Sequence, residues 1–173
     1  AGPDSAFLRL GFRLGDNICF AGGMKEVALK EVWTYHLPTR MWMQQTDLPD
    51  EQYGGLAVNI NDTIYAGLGK NTSGVCNKTL WKSSDLTGWT PEPVISTLSG
   101  GMLAGVTIND KIYVIDEAYY IFEYTPANQV WKRKSRLAEN MRDVHCMYVL
   151  NGIIHIGLGH INALITYNPV WDN

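Results

Sequence analysis

Along this chain apolar and polar positions alternate with a period of two, in short runs closed by turn residues. Leu8, Leu10, Phe12 and Leu14 fall on one face of the first run, with Arg9 and Arg13 on the other. Leu56, Val58 and Ile60 repeat the pattern, as do Ala104, Val106 and Ile108, then Cys146, Tyr148 and Leu150. A period of two predicts strands. Each run meets a turn pair, Gly15-Asp16, Asn61-Asp62, Asn109-Asp110 or Asn151-Gly152. Asn, Asp and Gly tolerate the positive φ that a two-residue hairpin demands. A second apolar strand follows each pair. The segments 14–23, 60–69, 108–116 and 150–159 therefore say nearly the same thing four times, at steps of 46, 48 and 42 residues (14 to 60, 60 to 108, 108 to 150).

Two further elements complete each unit. A third strand is predicted at residues 32–35, 80–83, 121–124 and 164–167, and a fourth is marked by Trp42, Trp89 and Trp131. The spacing from Trp33, Trp81 and Phe122 to these tryptophans is 9, 8 and 9 residues. The bridging turns carry Pro38-Thr39, Asp85-Leu86, Pro126-Ala127 and Asn168-Pro169, all turn chemistry. A period in this range signals a repeat architecture. Four strands per unit, a glycine pair or Gly-x-Gly closing the second and a Trp opening the fourth resemble the kelch repeat, over roughly residues 7–173. The third unit departs from it, with Val114, Ile115, Asp116 and Glu117 where the glycine pair belongs. Its second loop must be built differently.

The resemblance implies an all-β fold, a kelch-type β-propeller of about four four-stranded blades near residues 7–49, 50–97, 98–143 and 144–173. The last unit stops before its Trp strand is complete. A piece of a larger six- or seven-bladed wheel is favoured over a closed four-bladed ring or completion by another chain.

Composition narrows function mainly by exclusion. The 173 residues suffice for one sizeable core. A net charge of −3 gives no electrostatic footprint for nucleic acid. No apolar run reaches membrane-span length. The first residues, Ala1-Gly-Pro-Asp4, do not form a signal peptide and read as a processed or truncated start. Cys19, Cys76 and Cys146 form neither a disulfide framework nor a zinc spacing; Cys19 and Cys146, on strands, are expected as buried free thiols. No metal or cofactor is expected. Sequons at Asn71 and Asn77 would mark a glycosylated loop in a secreted eukaryotic protein. A secreted, periplasmic or cell-surface setting is favoured.

The glycine stretches at 67–69 and 157–159 precede strands, not helices, so they are read as tight backbone geometry between blades and not as phosphate loops. The recurring tryptophans are expected to pack between blades. Function on such scaffolds concentrates in loops. The loops between second and third strands (24–30, 70–77, 116–120, 160–163) and those between units (48–53, 91–99, 136–143) emerge on one rim of a propeller. As ligand-binding candidates they present Lys70, Asn71, Tyr119, Arg136, Arg142, His145 and His160. The expected function is a non-catalytic binding scaffold recognising a protein or glycan through this rim.

A narrower resemblance offers an enzymatic alternative. Residues 48–58, 61–69 and 80–82 look like a blade of bacterial N-acetylneuraminate epimerases, kelch propellers that interconvert sialic acid anomers with a loop glutamate. The residues Ile115-Asp-Glu-Ala118 occupy the comparable place, so the resemblance implies Glu117 as the acid–base group. This chain lacks one residue of that motif and the arginine that follows it.

Overall fold

Three of the four hairpin turns hold both central residues in the left-handed conformation: Asn61 and Asp62 (φ 48° and 59°), Asn109 and Asp110 (50° and 58°), Asn151 and Gly152 (51° and 74°). At the first turn Gly15 takes it (φ 55°) and Asp16 does not, as suits a glycine-first hairpin. In the computed structural model, which describes residues 2–99, 101–137, 146–157 and 164–172, these turns open four antiparallel meanders. The first sheet is β1 (Leu10–Leu14), β2 (Asn17–Ala21), β3 (Val32–His36) and β4 (Met41–Gln45). The second is β5 (Leu56–Ile60), β6 (Thr63–Gly67), β7 (Leu80–Ser83) and a short β8 (Thr90–Pro91). The third is β9 (Met102–Ile108), β10 (Lys111–Asp116), β11 (Tyr120–Thr125) and β12 (Val130–Arg136). The fourth has three strands, β13 (Cys146–Leu150), β14 (Ile153–Gly157) and β15 (Leu164–Tyr167). In every sheet, neighbours in sequence are neighbours in space, and no helix occurs among the described residues. The fold is all-β and built from propeller blades.

The chain divides into two compact units, Ala1–Ser96 and Thr97–Asn173, each holding two sheets. In the first, Leu10, Phe12, Cys19, Ala21 and Val32 pack with Ile64 and Ala66 of the second sheet and with Leu86 between β7 and β8. In the second, Tyr113, Ile115 and Ile121 pack with Ile154, Ile156 and Tyr167. A twisted sheet whose inner face is apolar must bury it on a neighbour, and here consecutive blades do so for each other.

Several expectations need correcting. The first alternation starts at Leu10. Leu8 is exposed with φ 54°, while Arg9, expected on the polar face, has a buried side chain. Its guanidinium meets Glu31 at 2.5 Å and donates to the Gly22 carbonyl at 2.9 Å. Trp42 and Trp131 are half-buried and pack inside their own blades, on Tyr35 (5.0 Å) and Tyr124 (4.7 Å). Trp89 does reach across, donating its indole N–H to the Thr46 carbonyl at 3.1 Å. Cys19 is buried as expected, whereas Cys146 is half-buried on the inner strand of the last sheet.

A close approach between blades is made at Gly22, whereas Gly67, expected to do the same, makes its approach inside its own blade. A Cβ on Gly22 would sit 2.4 Å from the Gln52 carbonyl oxygen of the next blade, and one on Gly67 2.3 Å from that of Thr79.

Candidate binding rim

In the first unit, three loops converge on Thr72. Its hydroxyl accepts from Ala28 N at 2.9 Å, and its own N–H donates to Glu51 Oε1 at 3.1 Å. Asn77 Nδ2 donates to the Glu51 carbonyl at 3.0 Å. Loops 24–30, 48–53 and 70–77 thus share one rim. Gln52, fully buried, is the anchor beneath them. Its carbonyl takes Gly23 N at 2.8 Å, its N–H donates to Leu29 O at 2.9 Å, and its Oε1 takes Gly69 N at 3.1 Å. Two of the predicted residues lie here. Lys70 pairs through its backbone with Tyr53 (2.9 and 3.0 Å). Asn71 spends its Oδ1 inside the loop, accepting from Ser73 N and Val75 N at 3.1 and 2.9 Å. Its side chain acts as a loop brace.

Partners lower the pKa of Glu31, Glu51 and Asp4 in this unit. Burial pushes Glu31 up, but hydrogen bonds from Arg9 and Trp33 Nε1 (2.8 Å) outweigh it and leave its pKa below the ordinary value. Glu51 is lowered by its bonds from Thr72. Asp4 is lowered by its hydrogen bond and charge pairing with Lys25, 2.7 Å away.

The third blade builds its turn after β10 without the glycine pair. Asp116, fully buried, closes β10. Its Oδ1 accepts from Ala118 N (3.0 Å) and Tyr120 N (2.9 Å), and its Oδ2 from Ser99 N (2.9 Å). One carboxylate thus satisfies three loop amides, which is how the glycine-free turn is made. Between those amides Tyr119 sits at φ 64°, a conformation L-residues enter at a cost. Glu117 is exposed on this turn, and its N–H donates to the Gly101 carbonyl at 3.0 Å. Arg136, at the end of β12, donates from Nε to the Ala118 carbonyl at 3.0 Å and lies over the Tyr120 ring at 5.2 Å. Leu137 N donates to the Tyr119 carbonyl at 2.9 Å. The structure therefore brings Glu117, Tyr119 and Arg136 onto one turn. Arg142, His145 and His160 lie outside the described residues.

A second cluster escaped the sequence reading. Glu123 on β11 is buried, accepting from Tyr113 OH at 2.6 Å and Lys111 Nζ at 3.0 Å, with Lys134 Nζ at 4.0 Å. Burial raises its pKa, but those donors prevail and hold it below the ordinary range. Asp172 Oδ2 accepts from Ser135 N (2.9 Å), Ser135 Oγ (2.6 Å) and Tyr167 OH (2.9 Å). Lys134 Nζ donates to the Asp172 carbonyl. Burial first, then these carboxylates, push the Tyr113 and Tyr167 phenols up. The available signal was a charge inside the apolar third strand, Ile121-Phe-Glu-Tyr124, which needs a partner when buried.

Among the described residues no group of three or more His, Cys, Asp or Glu is placed to hold a metal ion. No helix among them is long and apolar enough to cross a membrane.

No protein-family model matches the chain, and no curated protein matches it. Among solved structures it is similar to one titled "Structure of YjhT", with a TM-score of 0.77 at 15% identity. The match covers 89% of this chain and 59% of that one, so the chain spans less than two thirds of its length. At that identity the likeness is one of fold, a β-propeller.

Proposed function

We propose that the protein is a non-catalytic scaffold that binds a protein or glycan through its loop rim. The observation that carries this reading is the bracing of the loops. Gln52 and Thr72 in the first unit and Asp116 in the second spend hydrogen bonds on loop backbone, so the loops of each unit are braced, and exposed Glu117 and Arg136 are held out on the preorganised turn of the second. Preorganised loops avoid the ordering cost that weakens association. The test is a glycan array and an affinity capture with folded protein, repeated with Glu117→Gln and Arg136→Gln. A specific ligand lost in those variants at unchanged melting temperature supports the reading, and empty results in both formats refute it.

One observation favours a second reading, a mutarotase acting on sialic acid in the manner of the kelch-type epimerases. Arg136 is hydrogen-bonded to the residue after Glu117, so a cation stands beside the turn that carries the candidate acid–base group. Acid–base catalysis needs such a partner to orient a sugar. Anomerisation of sialic acid followed by NMR decides this. Acceleration by the protein that disappears in Glu117→Gln supports catalysis, and the spontaneous rate in both proteins rejects it.

A further inference from the structure

Cross-strand register makes the four sheets an internal comparison set. The second residue of each second strand is an isoleucine: Ile18, Ile64, Ile112 and Ile154. Ile64 and Ile154 pack on the sheet before them within their units and are fully buried, and Ile112 is fully buried as well. Ile18 is 39% exposed. Among the described residues no strand precedes β1. The third strands give the opposite comparison. Val32, Leu80, Ile121 and Leu164 pair with the fifth residue of their second strands, Ala21, Gly67, Ile115 and Gly157. Val32 and Ile121 face the sheet that follows and, like Leu80, are fully buried. Leu164 is 51% exposed.

Two faces of opposite kind are therefore left open. One is the leading face of the first sheet. Alternation places Phe20 beside Ile18 there, and their cross-strand partners on β3 are Trp33 and Tyr35. Trp42 lies 5.8 Å from Phe20 and 5.0 Å from Tyr35. The four rings are half-buried, with Gly2 against Trp42 at the outer strand, while Ile18 and its partner Arg13 stay exposed. The other is the trailing face of the fourth sheet. Tyr148 and Leu150 of β13 share it with Leu164, and Tyr148 stacks on His155 at 5.0 Å. Leu150 is 54% exposed, whereas Ile60 and Ile108, the equivalent last residues of β5 and β9, are buried. Contiguous apolar surface of this kind marks an interaction site.

We infer that the chain associates head to tail with a second copy, the trailing face of one fourth sheet receiving the leading face of another copy's first sheet. Each unit already makes this join once. In the first, Phe12, Cys19 and Val32 on the trailing face of one sheet meet Ile64 and Ala66 on the leading face of the next. In the second, Tyr113 and Ile121 meet Ile154 and Ile156 in the same way. One chain carries both open halves of the join, so a copy of itself is a sufficient partner. A symmetric pairing would set two leading or two trailing faces together, which neither unit does. A head-to-tail contact closes into a ring or continues as a longer assembly, according to the rotation it imposes. Neither face includes Glu117 or Arg136, so the inference does not rest on the rim.

The experiment is analytical ultracentrifugation of the full chain, of Ile18→Glu, of Leu164→Glu and of an equimolar mixture of the two variants. The unchanged protein should show a mass that rises with concentration from the 19.4 kDa of one chain. A carboxylate in the dry contact has no partner, so each variant alone should associate about ten-fold or more weakly. The mixture should recover association as a species of two chains. Ile18→Glu keeps an intact trailing face and Leu164→Glu an intact leading one, and only a head-to-tail contact is restored this way. Circular dichroism and thermal melting check that both variants fold, and Ile18→Gln with Leu164→Gln replaces them if either does not. Leu37→Glu, an exposed apolar position in the turn between β3 and β4, should shift the dissociation constant less than about two-fold. The inference is overturned if the unchanged protein keeps the mass of one chain up to about 0.5 mM. It is equally overturned if either face variant associates as tightly as the unchanged protein, if Leu37→Glu weakens association as much as they do, or if the folded variants stay single when mixed.

Discussion

Asp116→Ala tests how the glycine-free loop is made. The carboxylate is fully buried and accepts from three amides, at 2.9, 2.9 and 3.0 Å. Hydrogen bonds to a charged acceptor contribute about 1.5–3 kcal/mol each, and an amide left unpaired costs about 1–3 kcal/mol. Removing the carboxylate also removes its own desolvation cost, so the three bonds do not simply add. The expected loss is about 3–5 kcal/mol. Asp116→Asn retains an acceptor for Ala118 and Tyr120 but turns an NH2 toward the Ser99 N–H, so about half that loss is expected. Urea unfolding followed by tryptophan fluorescence gives the loss, and amide exchange at Ser99, Ala118 and Tyr120 localises it. Those three amides should exchange faster in Asp116→Ala while the Ile112 and Val114 amides stay protected. A loss below about 1 kcal/mol with unchanged exchange at the loop would refute the bracing argument. The same variant should weaken any ligand of the Glu117 turn, because Tyr119 keeps its strained φ of 64° between two of the amides that Asp116 holds.

Other consequences are equally concrete. Gly67→Ala should lower stability by about 2 kcal/mol or more, because its Cβ would meet Thr79 O at 2.3 Å, whereas Gly74→Ala, at φ 75° in open space, should cost about 1 kcal/mol; paired thermal melts separate the two. Tyr113→Phe should cost about 1–3 kcal/mol in urea by removing the 2.6 Å donor to buried Glu123. Glu31, Glu123 and Asp172 all have lowered folded pKa values, so their stabilisation is complete above the ordinary carboxylate values of 4.5 and 3.8 and is lost as pH falls through the lower folded values. The urea midpoint should therefore hold between about pH 7 and 5 and fall below about pH 4, and Glu123→Gln should shrink that fall; a midpoint that rises on acidification contradicts the assignment. The Cys19 thiol, buried with its pKa pushed up to about 11, should resist a thiol reagent at pH 8 that labels Cys76 in the folded protein. Equal rates for the two would show that the first unit opens readily.

The sequence by itself determined the strands and their order. Period-two runs, Asn, Asp and Gly at the hairpins and a repeated unit are local signals. Local geometry is set by residues close in the chain, so Asn109-Asp110 makes its turn wherever the blade lies. The missing glycine pair of the third unit was equally legible as a departure. That Asp116 itself replaces the glycines was not, since its partners include Ser99, 17 residues away. Tertiary structure alone decided which side chains face a partner. It buried Arg9 against Glu31, turned Asn71 inward as a brace, and kept Trp42 and Trp131 within their own blades. It also assembled the Tyr113–Glu123–Lys111 cluster with Lys134 and Asp172, from three strands of one sheet and the segment after β15. Alternation assigns a residue to a face but not to a neighbour. A buried charge is tolerated where another strand supplies its counter-charge, and that pairing exists only once the sheets have packed.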